Sequence, residues 1–199
     1  MTDPHTLRDI AGLGAEPNRI ADSALVLIDC QNTYREGVMQ LVGVEPALDQ
    51  AAKLLARFRA AKRPVVHIQH DSGPGSPYDI RAEIGAIAAP VVPEGDEPVV
   101  VKGRPNSFVG TDLHERLQSL GVENLILAGF MTHMCVNSTA RGAFNHGYRS
   151  TVVAGATATR DLPRPDGGVI KAADLHHASL AGMADLFTVV VGGVEALPD

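Results

Sequence analysis

The sequence predicts an α/β fold in which a parallel sheet is covered by helices on both faces. Three observations carry that reading. Six short runs rich in Val, Ile and Leu recur at residues 24–29, 64–69, 98–102, 124–129, 150–155 and 186–191. They lack polar alternation, as strands buried on both faces do. Helical periodicity fills the stretches between several of them, and strands alternating with helices form parallel sheets joined by crossover connections. The length, 199 residues, suits one domain with a sizeable core.

Taken in order, residues 1–20 read as an arm lying on the domain or on a neighbour. The run 24–29 is the first strand and ends on Asp29. Leu48, Ala52, Leu55 and Phe58 follow at steps of three or four, which predicts an amphipathic helix over 46–61. The second strand, 64–69, opens into a Gly/Pro-rich stretch, 71–80, read with 90–98 and 163–168 as insertions. The third strand, 98–102, ends on Lys102. Asp112 followed by Glu115 is a capping pattern for a helix with Leu113, Leu117 and Leu120 on one face and Gly121 at its end. The fourth strand, 124–129, passes through GFMTHM into a helix over 135–146 closed by Gly147, and a last helix is expected over 171–183.

Composition narrows the function classes. Apolar residues make up 45% and charged residues 20%, an ordinary globular balance. With 17 Lys+Arg against 23 Asp+Glu the net charge is −6, the wrong sign for a protein that neutralises phosphates, so no nucleic-acid partner is expected. No apolar run approaches ~18 residues and the start is not a secretory leader, which predicts a cytoplasmic protein without a membrane partner. The two cysteines, Cys30 and Cys135, are too few for a disulfide framework or a Cys-based zinc cage.

Ligands of open parallel sheets collect outside the carboxyl ends of the strands. That rule selects Asp29, Lys102 and, across the short connection after the fourth strand, Cys135 with a helix behind it. A thiol attacks as thiolate, a carboxylate can take its proton, and a lysine biases both ionisations by its charge. Each residue also has a bland reading: a packed thiol, a turn cap and a surface charge.

The segments ALVLIDCQNTY, VVVKGRPNSFVGTDLHERL and LILAGFMTHMCVNSTARGAFNHGY resemble, in order, the signature regions of the isochorismatase-like cysteine hydrolases. The resemblance runs from about Ala24 to about Val191. It implies a six-stranded parallel sheet flanked by helices and a homo-oligomer, dimer or tetramer, which the small residues Ala140, Gly142 and Ala143 also suggest. It places the catalytic triad on Asp29, Lys102 and Cys135, and a cis peptide between Phe130 and Met131. The chemistry implied is attack by Cys135 on a small amide or ureide-type C–N bond, with a thioester hydrolysed by water that Asp29 deprotonates. No side-chain amide stands beside Cys135 except Asn137, so the backbone N–H groups of Met131 and Cys135 are expected to hold the oxyanion. A cysteine at 135 disfavours the alternative, a vinyl ether hydrolase without covalent intermediate. A silent binding protein on the same fold is the further alternative.

No cofactor or metal is expected. Metal-dependent relatives carry Asp-x-His after the second strand, whereas here Asp71 is followed by Gly73, and His67 and His70, three apart, suit opposite strand faces. Gln31, Tyr34, Phe108 and His133 are candidate pocket residues. Phe108 serves equally as a core aromatic beside Asn106 and Ser107, and Tyr34 could pack under its loop. Met134 reads as core filler, Cys30 as a packed thiol on the other side of the sheet, and His176 and His177 carry no role. Arg104 and Arg160, near strand ends, are the arginines that could bind a carboxylate.

Overall fold

The computed structural model describes residues 4–199. Its centre is a six-stranded, all-parallel sheet in the order β3-β2-β1-β4-β5-β8. The strands are β1 (Ser23–Ile28), β2 (Val65–His70), β3 (Val99–Lys102), β4 (Asn124–Phe130), β5 (Arg149–Ala158) and β8 (Val189–Val191). A small antiparallel hairpin, β6 (Leu162–Pro163) with β7 (Val169–Ile170), stands apart. All six residues of β1 are buried, as befits a strand covered on both faces.

Strand alternation divides the core into two layers. On one face Leu25, Leu27, Ile126 and Val153 pack against α2 (Val44–Ala60), whose Leu48, Leu54, Leu55 and Phe58 are fully shielded from solvent. On the other, Val26, Ile28, Val66 and Leu127 meet α3 (Leu113–Ser119), α4 (Asn137–Asn145) and α5 (Ala172–Ala184) through Leu113, Leu117, Ala140, Ala143 and Met183. Ala140 and Ala143 are buried and a Cβ on Gly142 would overlap the Asn106 side chain. These small residues therefore serve close packing within the chain and offer no free oligomer face.

Several local expectations need correction. Asp112 makes no side-chain cap to α3; it pairs instead with Arg116 at 2.7 Å, and Thr111 Oγ1 accepts from Leu113 N–H. The helix after β4 begins earlier than residue 135, as a π-helical turn over Thr132–Val136 that runs into α4. The last strand is shorter than the apolar run, because Asp185 to Thr188 complete the exit from α5. The arm lies on its own domain: α1 (Leu7–Ile10) is tied down by Leu7 N–H to Asp185 Oδ1 at 2.9 Å and by Arg8 to the Leu186 carbonyl at 2.9 Å.

Candidate active site

The strand order reverses between β1 and β4, and the carboxyl ends of these neighbouring strands form the crevice where open sheets bind ligands. Asp29 leaves β1 there with φ 50°, a left-handed conformation that Asp tolerates better than most residues. Its backbone N–H donates to the Ile68 carbonyl at 2.9 Å, which fixes the turn. Gly129, one residue before the end of β4, lies so close to β1 that a Cβ would overlap the Ile28 carbonyl oxygen. Beyond it the Phe130–Met131 peptide is cis, and the π-helical turn carries Cys135 over the sheet end.

Lys102, the last residue of β3, joins these elements. Its Nζ lies 2.8 Å from Asp29 Oδ2 and 3.4 Å from Cys135 Sγ. The side chains of Asp29 and Lys102 are both 0% exposed, and Cys135 is 5% exposed, so the ion pair is stronger than a surface pair but carries a desolvation cost. Asp29 Oδ1 is buried without a hydrogen-bond partner. Burial raises the Asp29 pKa, against the opposing pull of Lys102. Burial and then the Asp29 carboxylate push the Cys135 thiol up to about 12. The resting thiol thus keeps its proton, with the Asp29 carboxylate beside it.

The surroundings are braced. Ser107 N–H donates to Thr139 Oγ1 at 3.1 Å, with the two hydroxyls 2.9 Å apart, so the loop after Lys102 is fastened to the helix after Cys135. Thr132 Oγ1 is 2.9 Å from His176 Nδ1, giving His176 a structural role the sequence did not suggest. Among the described residues the Met131 N–H has no acceptor, and the Cys135 N–H makes no bond outside its own π turn.

The candidate pocket residues separate. Gln31 does not face a substrate: it is fully buried, and its amide donates to the carbonyls of His70 at 3.0 Å and Gly85 at 2.8 Å while accepting from His70 N–H. Tyr34 is buried edge-on between Tyr78 and Phe130, its hydroxyl pKa raised by burial and by Asp29. Phe108 shares the apolar cluster of Cys135 and stacks on Tyr148. His133 bonds Thr159 Oγ1 through Nδ1 at 2.5 Å, and Met134, against expectation, is exposed beside Cys135. Cys30 packs in the opposite core layer.

Three residues given no place in the triad also stand here. His70 Nδ1 is 3.2 Å from Lys102 Nζ, Tyr78 packs edge-on against the His70 ring at 4.9 Å, and Arg160 carries a buried Nε without a partner. His70 is the register partner of Lys102, so the strand-end rule would have selected it had β2 been extended by one residue. His67 turns the other way, to Glu97 Oε2 at 2.8 Å, and Asp71 pairs with Arg81. These side chains therefore diverge, and no group of three or more potential metal ligands comes together among the described residues.

Comparison with known proteins gives the family and the fold. The Isochorismatase domain family model matches residues 23–194. The chain is 34% identical over 191 residues to a secreted isochorismatase effector of Verticillium dahliae, covering 96% of this chain and 98% of that protein. It is 27% identical over 209 residues to a ureidoacrylate amidohydrolase of Methylorubrum extorquens, covering 85% and 84%. The crystal structure of an isochorismatase from Pseudomonas putida superposes with a TM-score of 0.94 at 38% identity, covering 98% and 99% of the two chains.

Proposed function

The chain belongs to the isochorismatase family of hydrolases, and from that premise we propose that it hydrolyses a small amide or ureide-type C–N bond through a thioester on Cys135. The observation that carries the reading is the buried contact of Lys102 with both Asp29 and Cys135. A vinyl ether hydrolysis has no use for a thiol held in that contact. The amidohydrolase relative supports the same bond class.

The steps follow from the geometry. Cys135 Sγ attacks the carbonyl carbon as its proton passes to the Asp29 carboxylate beside it. Negative charge gathers on the carbonyl oxygen, toward which the N–H groups of Met131 and Cys135 would donate. Lys102 stabilises the thiolate as it forms. The C–N bond breaks as Asp29 returns the proton to the leaving nitrogen, releasing ammonia or an amine. Water, deprotonated by Asp29, then attacks the thioester; the acid leaves and Cys135 regains its proton.

Assays of ammonia or amine release from a panel of small amides and ureides test this reading, with carboxylate-bearing members included because of the unpaired Arg160 Nε. Turnover that vanishes in Cys135→Ala supports it. The isochorismatase names of two relatives favour a second reading, vinyl ether cleavage, under which Cys135→Ala keeps its rate.

The reading extends to a cytoplasmic homo-oligomer. Val99 and Val101, exposed on edge strand β3, support a second copy as their cover, and light scattering decides it. No helix among the described residues is long and apolar enough to cross a membrane.

A further inference from the structure

We propose that His70 is a positioning residue for Lys102: its Nδ1 accepts the third proton of the ammonium and holds the cation aimed between Asp29 and Cys135. The inference rests on the hydrolase reading above. An ammonium has three donors and no acceptor. Three acceptors surround Nζ, Asp29 Oδ2 at 2.8 Å, His70 Nδ1 at 3.2 Å and Cys135 Sγ at 3.4 Å, so every proton of the buried cation has a place. Were the imidazole absent, one donor of the ammonium would be left unmatched where water is excluded.

The histidine is built for this task. A charged lysine beside Nδ1 requires Nδ1 to be the acceptor, which puts the ring proton on Nε2, and Ser72 Oγ stands 3.0 Å away to receive it. His70 and Lys102 face each other in the parallel register of β2 and β3. Gln31 clamps the His70 backbone from both sides, accepting its N–H at 2.9 Å and donating to its carbonyl at 3.0 Å, while Tyr78 packs on the ring. This gives the buried Gln31 amide a role one step removed from the reaction.

Of the charged groups, Lys102 from β3 and Asp71, with its partner Arg81, from the loop after β2 act on the ring, and Tyr78 packs on it; Asp29, Cys135 and Arg160 act on Tyr78, against which Tyr34 also packs. Burial and the Lys102 charge outweigh Asp71 and bring the His70 pKa down to about 4. The imidazole thus stays neutral, and able to accept, through the physiological range.

Nitrogen-15 NMR of histidine-labelled protein tests the proton positions without a substrate. The expected result is a neutral Nε2–H imidazole for His70 that does not titrate between pH 5 and 8, and that begins to titrate in Lys102→Met. An Nδ1–H tautomer, or ordinary titration in the wild type, overturns the proposal. Turnover gives the second readout. His70→Leu should lower kcat at least tenfold with KM within about threefold. His70→Asn, whose Oδ1 can stand where Nδ1 stood, should recover most of the loss. A kcat in His70→Leu within about threefold of the wild type, or a loss carried by KM and not by kcat, overturns the proposal; should His70→Leu fail to fold, the tautomer and His70→Asn still decide. A wild type that hydrolyses no amide refutes the hydrolase reading instead, and the NMR result stands apart from it.

Discussion

Lys102 Nζ and Asp29 Oδ2 lie 2.8 Å apart with neither side chain touching solvent. A buried pair of this kind leaves an uncompensated charge when one member is removed. The Asp29 carboxylate also adds to burial in holding the proton on the Cys135 thiol, so under the proposed mechanism one charge both opposes early loss of that proton and later takes it.

Asp29→Asn therefore has two opposite effects. Turnover should fall at least about 10²-fold through loss of positioned proton transfer. Alkylation of Cys135, followed by mass spectrometry of its peptide, should become faster at neutral pH, since the opposing carboxylate is gone and Lys102 remains. A variant slower in both measurements would show that Asp29 does not govern the thiol.

The two cysteines should behave unequally. Cys135→Ala should abolish turnover, whereas Cys30→Ala, a change in the opposite core layer, should cost only stability. Loss of about 1–2 kcal/mol in a denaturant titration with kcat retained is the expected result for Cys30→Ala.

Prolonged dialysis against a strong chelator should leave activity unchanged, because His67, His70 and Asp71 are directed to Glu97, Lys102 and Arg81 respectively. Activity restored by added zinc, manganese or iron would contradict that arrangement.

Glu97 predicts an acid-sensitive contribution to stability. It is held down to about 2, first by hydrogen bonds from Arg59, with the Glu94 N–H and His67 adding to the effect against the opposing cost of burial. A carboxylate depressed in the folded state stabilises above its unfolded pKa, near ~4.3, and that contribution is lost as pH falls from there through about 2. Stability measured against pH should accordingly be flatter below pH ~4 in Glu97→Gln, and lower at pH 7.

Gly129→Ala should be severe. The residue has φ 118° and a Cβ would overlap the Ile28 carbonyl oxygen, so two central strands would have to separate. A loss of about 3 kcal/mol or more is expected, read as a drop in Tm.

Much of this site could be read from sequence because strand ends are visible as the ends of apolar runs. Asp29, Lys102 and Cys135 all follow from that rule, and the family resemblance gathers them. Gln31 was misjudged because nothing in a sequence distinguishes an amide facing a ligand from one clamping a neighbouring backbone. His70 was passed over for a related reason: its partner, Lys102, is 32 residues away, and only the register of β2 with β3 sets them side by side. The failed cap at Asp112 shows the limit of local patterns, since Arg116 one turn on competes for the same carboxylate.

Strand β3 is four residues long and pairs on one side only, with β2. Such a margin frays more readily than the interior strands, and amide exchange there should be fast relative to β1 and β4. Because Lys102 is its last residue, fraying withdraws the cation while the rest of the sheet remains intact. Heat should then inactivate the protein in a local transition that precedes global melting, so the working temperature range is set by this border of the sheet, not by its core.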